Sequence, residues 1–132
     1  MASERCTNLF EKDGPKVIPA NSKITAGTHI DSCCLIIVWF NDGLIVAQHC
    51  QAEYIETFKI DIENRVVKRA LAITAHEDAD SIGMVKDLKD KIGTDNFEYY
   101  AYKEYNNAKP IVTILEDGFD IAPSELYHSV SM

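Results

Sequence analysis

Residues 31–50 read DSCCLIIVWFNDGLIVAQHC. Two apolar runs, residues 34–40 and 44–47, flank the polar tripeptide Asn41-Asp42-Gly43. The first run is apolar throughout and mostly β-branched or aromatic, without the polar alternation of a half-exposed strand, so both of its faces are expected to be buried. Gly43 can supply the positive φ that tight hairpin loops require, and the second run then returns antiparallel. The same stretch holds three of the four cysteines, the only tryptophan and one of the four histidines. Packing explains thiols at a strand mouth, because free cysteine behaves as a small hydrophobe. Chemistry explains them too, because a hairpin can set a thiol beside an imidazole.

Around this hairpin the chain reads as mostly strand. Residues 1–14 are polar and end at the turn signal Asp13-Gly14-Pro15; they read as an N-terminal segment free to move. Residues 16–19 and 24–26 suggest short strands separated by a turn. Residues 52–75 fit two patterns. Ile55, Phe58, Ile62 and Val66 form a helical stripe, whereas Phe58, Ile60 and Ile62 alternate as in a strand, with a further strand over 66–74. The strand pattern is the slightly better fit. Residues 80–92 predict a helix, capped by Asp80 or Ser81, with Ile82, Val85, Leu88 and Ile92 on one face and Gly93 as the stop. Two late strands, FEYYAYKEY and PIVTILE, precede a tail containing a turn and one short terminal element. The expected fold class is α+β: mostly antiparallel β-sheets, sandwich-like, with one or two helices packed against them.

The charge of −8 on 132 residues argues against nucleic acid as a partner and against an anionic membrane surface. No apolar run reaches the length of a membrane-spanning helix, and the first residues lack the apolar core of a secretory signal. Adjacent Cys33 and Cys34 are poorly placed for independent disulfides, which suits a reducing compartment. The expected location is cytoplasmic, or a host cell reached by secretion without a cleavable signal.

A loop centred on Asn41 and Asp42 places Cys34 opposite His49, about 5 Å apart at Cβ. A one-residue slip offers Cys33 or Cys50 instead. A free thiol with an ordinary pKa is only about 3% thiolate at neutral pH. A neighbouring imidazole corrects this, by taking the proton or by stabilising the thiolate, and so produces a nucleophile for acyl chemistry. Other constellations fail on spacing. The segment starting His49-Cys50 has Thr57 where the cysteine-phosphatase loop needs arginine. Cys33, Cys34, His49 and Cys50 lack the separation of zinc ligands. His29 and His76 read as loop histidines.

Ser32-Cys33-Cys34 at the mouth of a strand, followed by a hairpin ending in His49, resembles the core of the cysteine glutamine deamidases. These include the cytotoxic necrotizing factor toxins and the chemoreceptor deamidase CheD. The resemblance covers residues 25–50. In the toxin branch the nucleophile follows Ser-Gly, which matches Cys34 here, with Cys33 standing where that branch has glycine. In the CheD branch cysteine directly follows serine, which matches Cys33. CheD also has a threonine shortly before its cysteine, and Thr28 lies near that place, with Thr25 as a second candidate.

The resemblance implies one deamidase-like domain over 15–132, acting as a bacterial effector or toxin-like virulence protein. Its catalytic pair would be Cys34 and His49, with Ser32 and Cys33 beside the oxyanion. Thr28, Asp31 and Asn41 are candidates for a third member, and Glu53 is also within reach. It further implies hydrolysis of a substrate-protein glutamine to glutamate through a thioester, with transglutaminase side activity, no cofactor and no metal. The partner would be a protein bearing a reactive glutamine, such as a GTPase, a receptor or another regulatory protein. The alternative is a non-enzymatic α+β binding or adaptor domain whose cysteines are core residues.

Overall fold

The run 34–40 becomes the central strand of the larger of two sheets, and its apolarity on both faces has a direct structural cause. In the computed structural model, residues 6–26, 33–51, 55–103 and 109–131 are described. Strand β4 (Cys33–Phe40) is buried at all eight positions, because one face meets a second sheet and the other meets a helix. The chain supplies these layers in the order β1 (Cys6–Leu9), β2 (Lys16–Val17), β3 (Ser22–Ala26), β4, β5 (Ile45–Gln51), β6 (Val67–Thr74), α1 (Ala79–Ile92), β7 (Phe97–Tyr102), β8 (Ile111–Ile114), β9 (Phe119–Ala122) and β10 (Tyr127–Ser129).

The larger sheet runs β10-β7-β6-β4-β5-β2 and the smaller β1-β3-β8-β9. Most pairs are antiparallel; β1–β3 and β6–β7 are parallel. The second parallel pair needs a crossover, and α1 provides it. Leu35, Ile37 and Trp39 point between the sheets, where they join Leu9, Ile24, Val112 and Ile114. Ile36, Val38 and Phe40 point toward α1, where they join Met84, Val85 and Leu88. The result is the expected α+β architecture with a sandwich of sheets, and among the described residues one α-helix covers it.

Several local expectations shift by definite amounts. Helix α1 is capped by Asp78, whose side chain accepts the Ser81 N–H at 2.8 Å, rather than by Asp80 or Ser81. Gly93 ends it at φ 75° with its N–H on the Lys89 carbonyl. Residues 58–66 form no strand. Phe58 and Ile60 are nevertheless buried. Their period-2 pattern records an extended chain lying on the helix-side core, held by Gln48: its Nε2 donates to the Thr57 carbonyl and its Oε1 accepts the Lys59 N–H at 2.8 Å. Segment 6–14 is not separate from the domain. Cys6–Leu9 is a strand paired to β3, with Leu9 buried in the core. The tail holds two short strands, β9 and β10, where one terminal element was expected.

Candidate active site at the open end of the hairpin

The β4–β5 register decides what can meet what. The connecting loop has three residues: the Phe40 N–H donates to the Leu44 carbonyl at 2.9 Å and the Gly43 N–H to the Phe40 carbonyl at 3.1 Å. Gly43 sits at φ 93°, a conformation suited to the third position of such a loop. Asp42 Oδ1 accepts the Leu44 N–H at 3.0 Å and fixes the turn. A loop longer by one residue than a two-residue turn moves the pairing by one. Cys34 therefore faces Cys50, Leu35 faces His49, and Cys33 faces Gln51.

A one-residue shift carries every side chain to the opposite face. Cys34 and His49 consequently point to opposite sides of the sheet, and the expected Cys34–His49 pair is not brought together. Cys34 is fully buried beneath α1 with Cys50 beside it. Burial, reinforced by the neighbouring Cys50, pushes the Cys34 thiol well above the usual range. Burial likewise raises Cys50, to about 12. Both therefore remain protonated thiols at neutral pH, the opposite of what a nucleophile needs.

His49 lies on the inter-sheet face at the outer end of β5. Its Nδ1 is 3.0 Å from the Leu9 carbonyl oxygen. A carbonyl can only accept, so Nδ1 carries the proton and the basic lone pair of the neutral ring belongs to Nε2. Strand β1 thus selects the tautomer and orients the ring, a service that a carboxylate performs in many Cys–His and Ser–His sites. Cys33 projects from the same sheet face, one diagonal step from His49, and is 8% exposed where Cys34 is 0%. Diagonal neighbours stand about 7–8 Å apart along the backbone, a gap that a small acyl group can occupy. His49, with Lys12, Gln51 and Thr57, lines a cavity of about 260 Å³; Cys33 is not among its described lining residues, and its cross-strand partner Gln51 is. Lys12 comes from the 3₁₀ turn Glu11–Asp13 and Thr57 from the turn Ile55–Thr57.

Asn41 stands at the opposite end of β4 from Cys33, about 25 Å away at the rise of a strand, and takes no part. Ser32, Thr28, Asp31, His29 and Glu53 lie outside the described residues. The Leu9 carbonyl and Lys12 were not foreseen. Leu9 carried a signal, as an apolar residue in an otherwise polar segment, but a backbone carbonyl leaves no mark of its own in a sequence. Among the described residues no three His, Cys, Asp or Glu side chains converge as metal ligands would. Compared with known protein families the sequence matches none, and no curated protein matches it.

Proposed function

We propose that the chain is a cysteine-dependent protein-glutamine deamidase in which Cys33, rather than Cys34, is the nucleophile and His49 the base. The observation that carries this reading is the shared face of Cys33 and His49, with the imidazole held through Nδ1 by Leu9 so that Nε2 is the basic atom. Cys33 directly follows Ser32, as in the CheD branch of the resemblance, and this register agrees with that branch.

In the proposed reaction His49 takes the Cys33 proton and the thiolate attacks the carboxamide carbon of a substrate glutamine. Collapse of the tetrahedral adduct breaks the C–N bond, and ammonia leaves with the proton returned by His49. His49 then deprotonates a water that attacks the thioester, releasing glutamate and the thiol. The sum is glutamine plus water giving glutamate plus ammonia, with no redox change.

The test combines peptide-resolved iodoacetamide alkylation at pH 7 with ammonia release from a glutamine-rich unfolded protein such as casein. Cys33 should react faster than Cys34 and Cys50, and should slow in His49→Gln. Ammonia release should vanish in Cys33→Ser and persist in Cys34→Ala. Activity retained by Cys33→Ser would overturn the assignment. The second reading, a non-enzymatic α+β binding or adaptor domain, draws on the burial of Cys34 and Cys50 as ordinary core residues. It expects Cys33 to be as slow as those two, with or without His49.

A further inference from the structure

Strand β9 is the last strand of the smaller sheet, and among the described residues no strand pairs with its far side. In the β8–β9 hairpin the Leu115 N–H donates to the Gly118 carbonyl at 2.8 Å. Ladder alternation then makes Ile114–Phe119 and Val112–Ile121 the non-hydrogen-bonded pairs. Phe119 and Ile121 therefore direct their N–H and C=O groups away from β8, toward the open edge. Their side chains face the inter-sheet space, while Asp120 and Ala122 are exposed on the outer face.

Beside this edge is a cavity of about 180 Å³, lined by Tyr100, Phe119, Asp120, Ile121, Ser124 and Tyr127. Tyr100 stands edge-on to Phe119 at 5.8 Å, which makes one wall aromatic. Burial raises the Tyr127 phenol above its ordinary range, so this lining group is neutral at physiological pH. The volume is close to that of an apolar cavity that accepts one benzene ring, about 150 Å³, and suits one aliphatic side chain.

The segment that carries the edge is acidic, and the two cations that β6 brings near it are each paired: Lys68 with Asp117, and Arg69, which stacks over Phe119 at 5.5 Å, with Glu98. Residues 110–132 contain Glu116, Asp117, Asp120 and Glu125 and no lysine or arginine. A second copy pairing through the same edge would bring two such acidic segments together, and like charges facing across strands are destabilising.

We propose that the β9 edge binds an extended segment of a partner protein in which apolar and basic side chains alternate. The backbone of that segment pairs with Phe119 and Ile121, one apolar side chain enters the cavity, and the basic side chains lie across from Asp120 on the outer face. The site is independent of Cys33 and His49.

The probe is a capped, fluorescently labelled peptide, Thr-Lys-Val-Lys-Val-Lys-Thr, with binding to the full chain read by anisotropy. Its glutamate-for-lysine counterpart should bind at least about tenfold more weakly. Asp120→Lys should reverse that preference. Ser124→Trp, which fills the cavity mouth from an exposed position, should weaken binding at least about tenfold without moving the thermal midpoint. N-methylation separates edge pairing from charge attraction. Methylating the valine amides should abolish binding while methylating the lysine amides is tolerated; the reverse pattern supports pairing in the parallel sense. Equal binding of both methylated peptides, or a lysine-over-glutamate preference untouched by Asp120→Lys, would overturn the proposal. So would sedimentation showing the edge occupied by a second copy of the chain.

Discussion

Raising the pH from 8 to 10 should unfold this protein far more readily than its fold class suggests, because two buried thiols resist ionisation. Cys34 and Cys50 face each other beneath α1, and both have raised pKa values through burial. In the unfolded chain a thiol titrates near 8.5. Between that value and the raised folded value of about 12 for Cys50, the unfolded state binds fewer protons than the folded one. Stability is therefore fully present below pH 8 and falls as pH rises, by up to about 1.4 kcal/mol per pH unit for each thiol. From pH 8 to 10 the loss is about 2 kcal/mol per thiol and about 4 kcal/mol for the pair, a large share of a typical domain's stability.

The assay is urea denaturation at pH 8, 9 and 10, monitored by Trp39 fluorescence, on wild type and on Cys34→Ala, Cys50→Ala and the double variant. Each alanine lowers stability at pH 8 by removing buried sulfur, so the slope against pH is the quantity to compare. Each single variant should lose about half of the thiol-dependent slope, and the double variant nearly all of it. Equal slopes in wild type and the double variant would refute the reasoning. So would thiolate absorbance in the folded protein showing these two cysteines titrating near pH 8.5.

Three further outcomes follow from the packing. Gln48→Leu orphans the Thr57 carbonyl and the Lys59 N–H, and should destabilise by about 2–3 kcal/mol, with faster amide exchange at Lys59. Arg69 pairs with Glu98, donates to the Asp117 carbonyl and stacks over Trp39 and Phe119 at 5.7 and 5.5 Å, joining the two sheets. Arg69→Met should cost about 1–3 kcal/mol in urea denaturation and shift the tryptophan emission. Asp78→Ala removes the α1 cap and should cost about 1 kcal/mol. The hydrogen bonds from Ser81 lower the Asp78 pKa, so the wild-type advantage should be present at neutral pH and fade as pH falls through the acid range.

The hairpin, the helix over 80–92 and the two-sided burial of β4 were legible because each rests on local information: side-chain periodicity, a turn glycine and a stop glycine. The α+β class with packed sheets followed from those elements. Three matters were decided only in three dimensions. The face on which each cysteine lies depends on one loop residue, Gly43 at φ 93°, and the Asn-Asp-Gly composition fits loops of either length. Residues 58–62 alternate like a strand because burial has the same period whether or not a ladder forms; here the partner is the Gln48 side chain instead of a neighbouring backbone. The orientation of His49 rests on a carbonyl 40 residues earlier in the chain, in a segment whose polarity suggested no structural role. Sequence determines which residues must be buried and where the chain must turn, since those preferences act over a few residues. Register and long-range backbone contacts decide which buried groups meet, and only the closed fold brings Leu9 to His49 and separates His49 from Cys34.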